Sequence, residues 1–96
     1  MAVAFIIRPG GSKEQLDAVV RSLGIDDASQ MAEGQIVHVE AYDAEGNPIV
    51  LDVWESEQHF NDFAQTRLMA ALQSQGVEMT GGPPPAMSVE RLWLRP

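Results

Sequence analysis

The chain has 96 residues, 45% of them hydrophobic, and a net charge of −8 from 14 acidic and 6 basic side chains. That length makes one domain, residues 1–96, with enough apolar content for one thin core. A single lysine, Lys13, and scattered arginines form no basic cluster that could replace counterions, which argues against nucleic acid and anionic membranes as partners. The acidity reads as a solubility feature. There is no cysteine, which excludes disulfides, thiolate nucleophiles and cysteine-ligated metal and suits a reducing cytoplasm, the expected location. The apolar run Val3 to Ile7 is too short for a signal-peptide core and has no basic residue ahead of it. No stretch approaches the roughly 20 apolar residues of a membrane span.

Val3 to Arg8 reads as a first strand, stopped by Pro9-Gly10-Gly11. Ser12 and Gln15 have capping-box spacing, and Leu16, Val19, Val20 and Leu23 follow on one helical face. Gly24 is placed to end that helix in a left-handed conformation with Ile25 packing beneath it. Residues 26–34 have no clear period and read as a loop holding at most one short turn. Gln35 to Tyr42 and Ile49 to Trp54 both alternate. Between them, Asp43 at turn position i and Gly46 at i+3 suit a type I turn followed by a left-handed glycine. Pairing Asp43 with Asn47 then sets Val39 opposite Leu51, Val37 opposite Val53 and His38 opposite Asp52, so the aliphatic residues share one face.

Ser56 caps the next helix, with Glu57 at its positive end. Phe60, Phe63, Ala64, Leu68, Ala71 and Leu72 form its buried stripe, and Gly76 ends it. Val77 to Ala86 contains Gly81-Gly82-Pro83-Pro84-Pro85, a stiff extended loop, and Met87 to Leu94 reads as a last strand. The order βαββαβ with right-handed crossovers gives a ferredoxin-like α+β fold: a four-stranded antiparallel sheet with two helices on one face. The other face, expected to carry Trp54, Tyr42, Ile36, Val50 and part of the first strand, needs a cover. A homodimer packed sheet to sheet is the economical one.

The run VWESEQHFNDFAQTRLMAAL, with Trp54, Ser56 and Phe60 as Trp-x-Ser-x-x-x-Phe, resembles the dimeric α/β-barrel superfamily that includes the antibiotic-biosynthesis monooxygenase-like proteins. The resemblance covers the whole chain in topology and about a dozen residues in motif, most of them structural. It implies a dimeric α/β barrel. The activities it brings are cofactor-independent quinone-forming oxygenation, haem degradation and isomerisation, alongside small proteins with no assigned activity. The haem-degrading branch also uses an Asn on strand one, a later Trp and a haem-ligating His. Here strand one is VAFIIR, and Phe63 and Gln73 stand at the other two positions, all against haem cleavage.

His38 and Asp52 are the sharpest candidates. A cross-strand His–Asp pair orients an imidazole and raises its pKa, which suits a general base acting on a phenol or enol. It is also an ordinary sheet-stabilising pair on a half-solvated face. Tyr42, Glu40 and Trp54 share that face. Tyr42 and Trp54 are candidate ligand contacts, and Trp54 and Trp93 have flat rings that stack on ligands or anchor cores and interfaces. His59, in the first turn of the second helix, is a candidate for the mouth of a cavity or a plain residue beside the cap. His38, His59, Asp52 and Glu40 lack any spacing specific for metal, so no metal site is expected. Gly10-Gly11-Ser12 lacks the longer phosphate-loop pattern, and there is no nucleophile elbow or dinucleotide fingerprint, so no cofactor is expected. The scattered methionines read as core filler.

Three functions stay open at this level, and with them whether the protein is an enzyme. The first is a small homodimeric barrel protein binding an aromatic or hydrophobic small molecule. The second is a cofactor-independent monooxygenase of the antibiotic-biosynthesis type, with His38 and Asp52 taking a proton and Trp54 positioning the ring. The third is a purely structural or regulatory dimer. A cavity of roughly 300 Å³ with convergent polar groups separates the first two from the third.

Overall fold

The computed structural model describes every residue except 26, 80, 81 and 96. Five strands and helices carry the sequence expectations closely: β1 (Val3–Ile7), α1 (Lys13–Leu23), β2 (Gln35–Tyr42), β3 (Pro48–Trp54) and α2 (Glu57–Phe63). A π-helical stretch, Ala64–Leu68, joins α2 to α3 (Met69–Ser74) in one helical run over 57–74. Strand β4 (Met87–Ser88) closes the order. The sheet is antiparallel, ordered β2-β3-β1-β4, which is the ferredoxin-like arrangement.

Local chemistry fixes the ends of these elements. Ser12 Oγ accepts the Gln15 N–H at 3.1 Å while Gln15 Oε1 accepts the Ser12 N–H at 2.8 Å, a complete capping box. Gly24 sits at φ 72° and donates its N–H to Arg21, ending α1 as a side chain with a Cβ would not readily do. Ser56 Oγ accepts the His59 N–H at 3.1 Å to start α2. In the hairpin, the Asp43 N–H reaches Asn47 O at 2.9 Å and the Gly46 N–H reaches Asp43 O at 3.0 Å. The expected register follows: Val39 opposite Leu51, His38 opposite Asp52, Val37 opposite Val53. A bulge between Gln35 and Val37 then sets Gln35 opposite Trp54.

Two expectations are corrected. The face carrying Trp54, Val50 and Tyr42 is the one the helices cover. Trp54 is fully buried, and with Phe5 it packs on Phe60 and Phe63. Alternation sorts residues into two sets without saying which set faces inward. The aromatic rings decide it, because Phe5 and Trp54 each remove far more apolar surface from water than a valine. Ile6, Val39 and Leu51 therefore lie on the open face, between 37% and 43% exposed. Second, the last strand covers only Met87–Ser88, because it finds partners only at Val3 and Ala4; beyond it Trp93 is 86% exposed. The loop over 26–34 holds the short turn allowed for it, a 3₁₀ turn at Ala28–Gln30 capped by Asp27, with residue 26 outside the described residues. Gly81 of the Gly-Pro loop also lies outside them.

The core has two adjoining parts. Phe5 and Phe60 stack with centroids 4.0 Å apart, and Trp54 meets Phe60 edge-on at 5.7 Å and Phe63 at 5.2 Å. Val19, Ala71, Leu72 and Val77 form the second part, where α1 meets α3. Phe60 is the ring shared between the strand aromatics, so its truncation opens a cavity against both. Phe60→Ala should cost about 3–5 kcal/mol, a large part of the roughly 5–15 kcal/mol that holds such a domain, read as a drop in the urea midpoint.

Candidate active site

A cleft opens between the sheet and the helices. Its floor is Ile7, Val50, Asp52, His38, Glu40 and Tyr42 from three strands. Its roof is Leu16, Val19, Val20 and Leu23 of α1, with Phe63, Leu68 and Leu72 from the second helical run. The volume of the cleft is about 90 Å³, smaller than the roughly 150 Å³ that holds a benzene ring. A flat ligand would rest partly in the mouth or part the leucines of the roof.

The walls are apolar except at one place. Asp52, 3% exposed, lies on the middle of β3. Its Oδ2 accepts the Trp54 indole N–H at 3.2 Å, and its Oδ1 lies 2.6 Å from His38 Nδ1. His38 Nε2 lies 2.8 Å from Glu40 Oε2. Ionised carboxylates only accept hydrogen bonds, so both ring nitrogens of His38 donate and the ring is an imidazolium. The Asp52 hydrogen bond is the chief cause that pushes its pKa up to about 9, against the opposing cost of burial, with Glu40 adding to the rise. At neutral pH the imidazolium is therefore the dominant form.

The remaining candidates fall into different places. Tyr42 lines the cleft and is 41% exposed at its mouth. Trp54 sits one layer below, under Asp52, with no exposed surface. His59 does not line the cleft. Its ring lies against Gly34, whose φ is +83° and where an added Cβ would come within 2.5 Å of the imidazole. The Ser56 hydroxyl holds its Nδ1 at 2.7 Å, and the Glu55 N–H donates to Gly34 O at 2.7 Å. His59 thus clamps the entry of β2 against the start of α2. Trp93 projects from the C-terminal tail and is not part of the cleft wall. Among the described residues no group of three or more acidic or histidine side chains is arranged to hold a metal ion. Glu40 is the residue that the sequence left in the background; its i+2 spacing from His38 on one strand was the available signal.

Two outcomes follow. The folded pKa of His38 lies above its unfolded value, so its contribution to stability is whole below about pH 6.5 and is lost as pH rises through about 9. Stability should fall over that window, and Asp52→Asn should flatten the fall, as read from urea midpoints at each pH. Gly34→Ala should cost about 1–3 kcal/mol through the positive φ and the His59 clash. Part of that should return in a His59→Ala background, a coupling that a double-mutant cycle measures.

No protein-family model matches the chain, and no curated protein sequence matches it. Solved structures do. A variant of SnoaB, a cofactor-independent oxygenase from Streptomyces nogalater, superposes with a TM-score of 0.62 at 13% identity, covering 95% of each chain. A candidate antibiotic biosynthesis monooxygenase from Deinococcus radiodurans gives 0.59 at 14% identity, covering 99% of this chain and 98% of its own. A monooxygenase from the gene ActVA-Orf6 of Streptomyces coelicolor, solved with nanaomycin D, gives 0.54 at 22% identity, covering 99% and 91%. The chain has the fold of these antibiotic-biosynthesis monooxygenase-type structures over essentially its whole length.

Proposed function

We propose that the cleft binds a small aromatic or hydrophobic molecule bearing an acidic hydroxyl, and that His38, oriented by Asp52, manages the hydroxyl proton. The observation that carries this reading is the placement of one hydrogen-bonded polar group, Asp52–His38–Glu40, on an otherwise apolar wall. At neutral pH the imidazolium holds the phenolate or enolate, the same ion pair that neutral His38 reaches by taking the hydroxyl proton. Neutral imidazole with a phenol and imidazolium with a phenolate contain the same protons, so both routes to that ion pair give one pH dependence. Tyr42 is the ligand contact at the mouth, and Trp54 acts from beneath by fixing Asp52. The small volume is what a purely structural dimer would have, and the His38–Asp52 pair also stabilises the sheet, but stabilising the sheet does not require the pair to line an apolar cleft.

The second reading is cofactor-independent monooxygenation of the bound molecule, favoured by the oxygenase folds that the chain shares. A phenolate or enolate is electron-rich at carbon and is the form that reacts with dioxygen. One oxygen atom enters the substrate as a carbonyl, and the other leaves as water with two hydrogens of the substrate, one from the oxidised carbon and one from the hydroxyl, which itself becomes a carbonyl.

We further infer a homodimer through the open sheet face. The accessible surface of the whole chain, 6410 Å², exceeds by about 1,000 Å² the roughly 5,400 Å² expected of a compact chain of this mass. That excess is close to one partner's share of a standard interface. Ile6, Val39 and Leu51 form its centre.

His38→Ala should abolish turnover of a quinol or phenol substrate and leave the assembly intact; full turnover in the variant would sink the catalytic reading. In the wild type, kcat/KM for an acidic phenol should rise as pH passes the substrate's own pKa and fall as His38 loses its proton near pH 9. Native mass spectrometry should give twice the chain mass, and Leu51→Glu should give the monomer.

A further inference from the structure

The imidazole edge that faces the mouth of the cleft is already occupied. Glu40 Oε2 sits 2.8 Å from His38 Nε2, in the place where an acidic hydroxyl would have to bind. The other edge is fixed by Asp52 from below, so Nε2 is the ring's only approach. Asp52 is buried and tied on both oxygens, whereas the Glu40 side chain is 43% exposed and, among the described residues, hydrogen-bonds to His38 alone.

We propose that Glu40 is a built-in stand-in for the ligand: its carboxylate holds the position on His38 Nε2 that the ligand's anionic oxygen takes, and it leaves when the ligand binds. The proposal rests on the reading that the cleft binds a hydroxylated aromatic through His38, and it defines the ligand further. The incoming group must match a carboxylate oxygen in charge and size, so the ligand class is a phenol or enol acidic enough to bind as its anion. Neutral alcohols and amines do not replace an ion pair with an ion pair. The exchange conserves charge: one anion leaves the imidazolium as another arrives, and the hydroxyl proton goes to solvent.

The charged surroundings suit this exchange. From β3 the ring faces Asp52; from β2 it faces Glu40, with Tyr42 beyond. From α1 the charge at the mouth is Lys13, whose ammonium is bonded to Asp17 and is near enough to feel Glu40 and Tyr42. The other residues that α1 and the second helical run present there are aliphatic or aromatic. A Glu40 side chain that swings outward thus meets a cation and water, while the ligand's body meets Leu16, Val19 and Phe63.

The test uses 4-nitrophenol, whose anion is yellow, titrated against the whole protein. A side chain that covers its site lowers apparent affinity by the fraction of time the site is open. If Glu40 covers His38 nine-tenths of the time or more, Glu40→Ala should bind 4-nitrophenolate at least about tenfold more tightly than wild type. Glu45→Gln, which removes one exposed charge from the neighbouring hairpin turn, should change it little. The His38 ring titration followed by NMR should move below its wild-type position in Glu40→Ala, a readout that a merely structural Glu40 would not shift. Equal affinity in wild type and Glu40→Ala would overturn the stand-in role and leave ligand binding standing. A gain of equal size in Glu45→Gln would overturn it as a general charge effect, and an unmoved His38 titration would show that Glu40 is not on the ring. Absence of binding to wild type and Glu40→Ala alike would overturn both this proposal and the binding reading.

Discussion

A buried carboxylate costs several kcal/mol unless each oxygen finds a donor, and Asp52 meets that condition by reaching in two directions. One oxygen takes the indole N–H of the most buried ring in the molecule, and the other takes the imidazole of His38. The aromatic core and the cleft wall are therefore joined through one side chain. Trp54 can be wholly buried because its single polar atom is satisfied there. His38 can hold one orientation because its inner edge is anchored to something that does not move. Among the described residues, no buried side-chain nitrogen or oxygen is left without a partner.

That linkage gives the cleft its chemical character. The floor is set by strand pairing, which aligns His38 with Asp52 and Asp52 with Phe5 across three adjacent strands. The roof is set by helix packing, with leucines and valines from α1 above and Phe63 behind. A titratable ring between them is held by buried Asp52 on one edge and by half-exposed Glu40 on the other. In such a setting its charge is governed by neighbouring carboxylates more than by bulk solvent, as its raised pKa records.

What could be read from the residue order was whatever is decided locally. The Ser12–Gln15 box, the left-handed Gly24 and the Asp43–Gly46 turn are each settled by a few adjacent residues, and the turn in turn fixed the His38–Asp52 register. What could not be read depends on comparing distant parts of the chain. The inward face of the sheet was chosen by the meeting of Phe5 and Trp54 with Phe60 and Phe63, which alternation within a strand does not contain. The shortness of β4 reflects the partners offered by Val3 and Ala4, not the apolar pattern of Met87 to Leu94 itself. The π-helical stretch at Ala64–Leu68 carries no composition mark, and the roominess of the cleft is a remainder of packing. Within the site, the His–Asp pair was legible as a register prediction, whereas Glu40 acquires meaning only once the ring's outer edge is seen to be covered.

The short β4 leaves the outer edge of β1 from Phe5 to Ile7 without a neighbouring strand among the described residues. Such an edge invites another chain to extend the sheet. The segment Pro83 to Pro85 borders a hollow beside Ile6, Ile7 and Arg8. Prolines have no N–H to offer a ladder, so a backbone that lies there shields the edge without becoming part of the sheet. The Pro83–Pro85 segment thus covers part of that rim with a backbone that cannot extend the hydrogen-bond ladder.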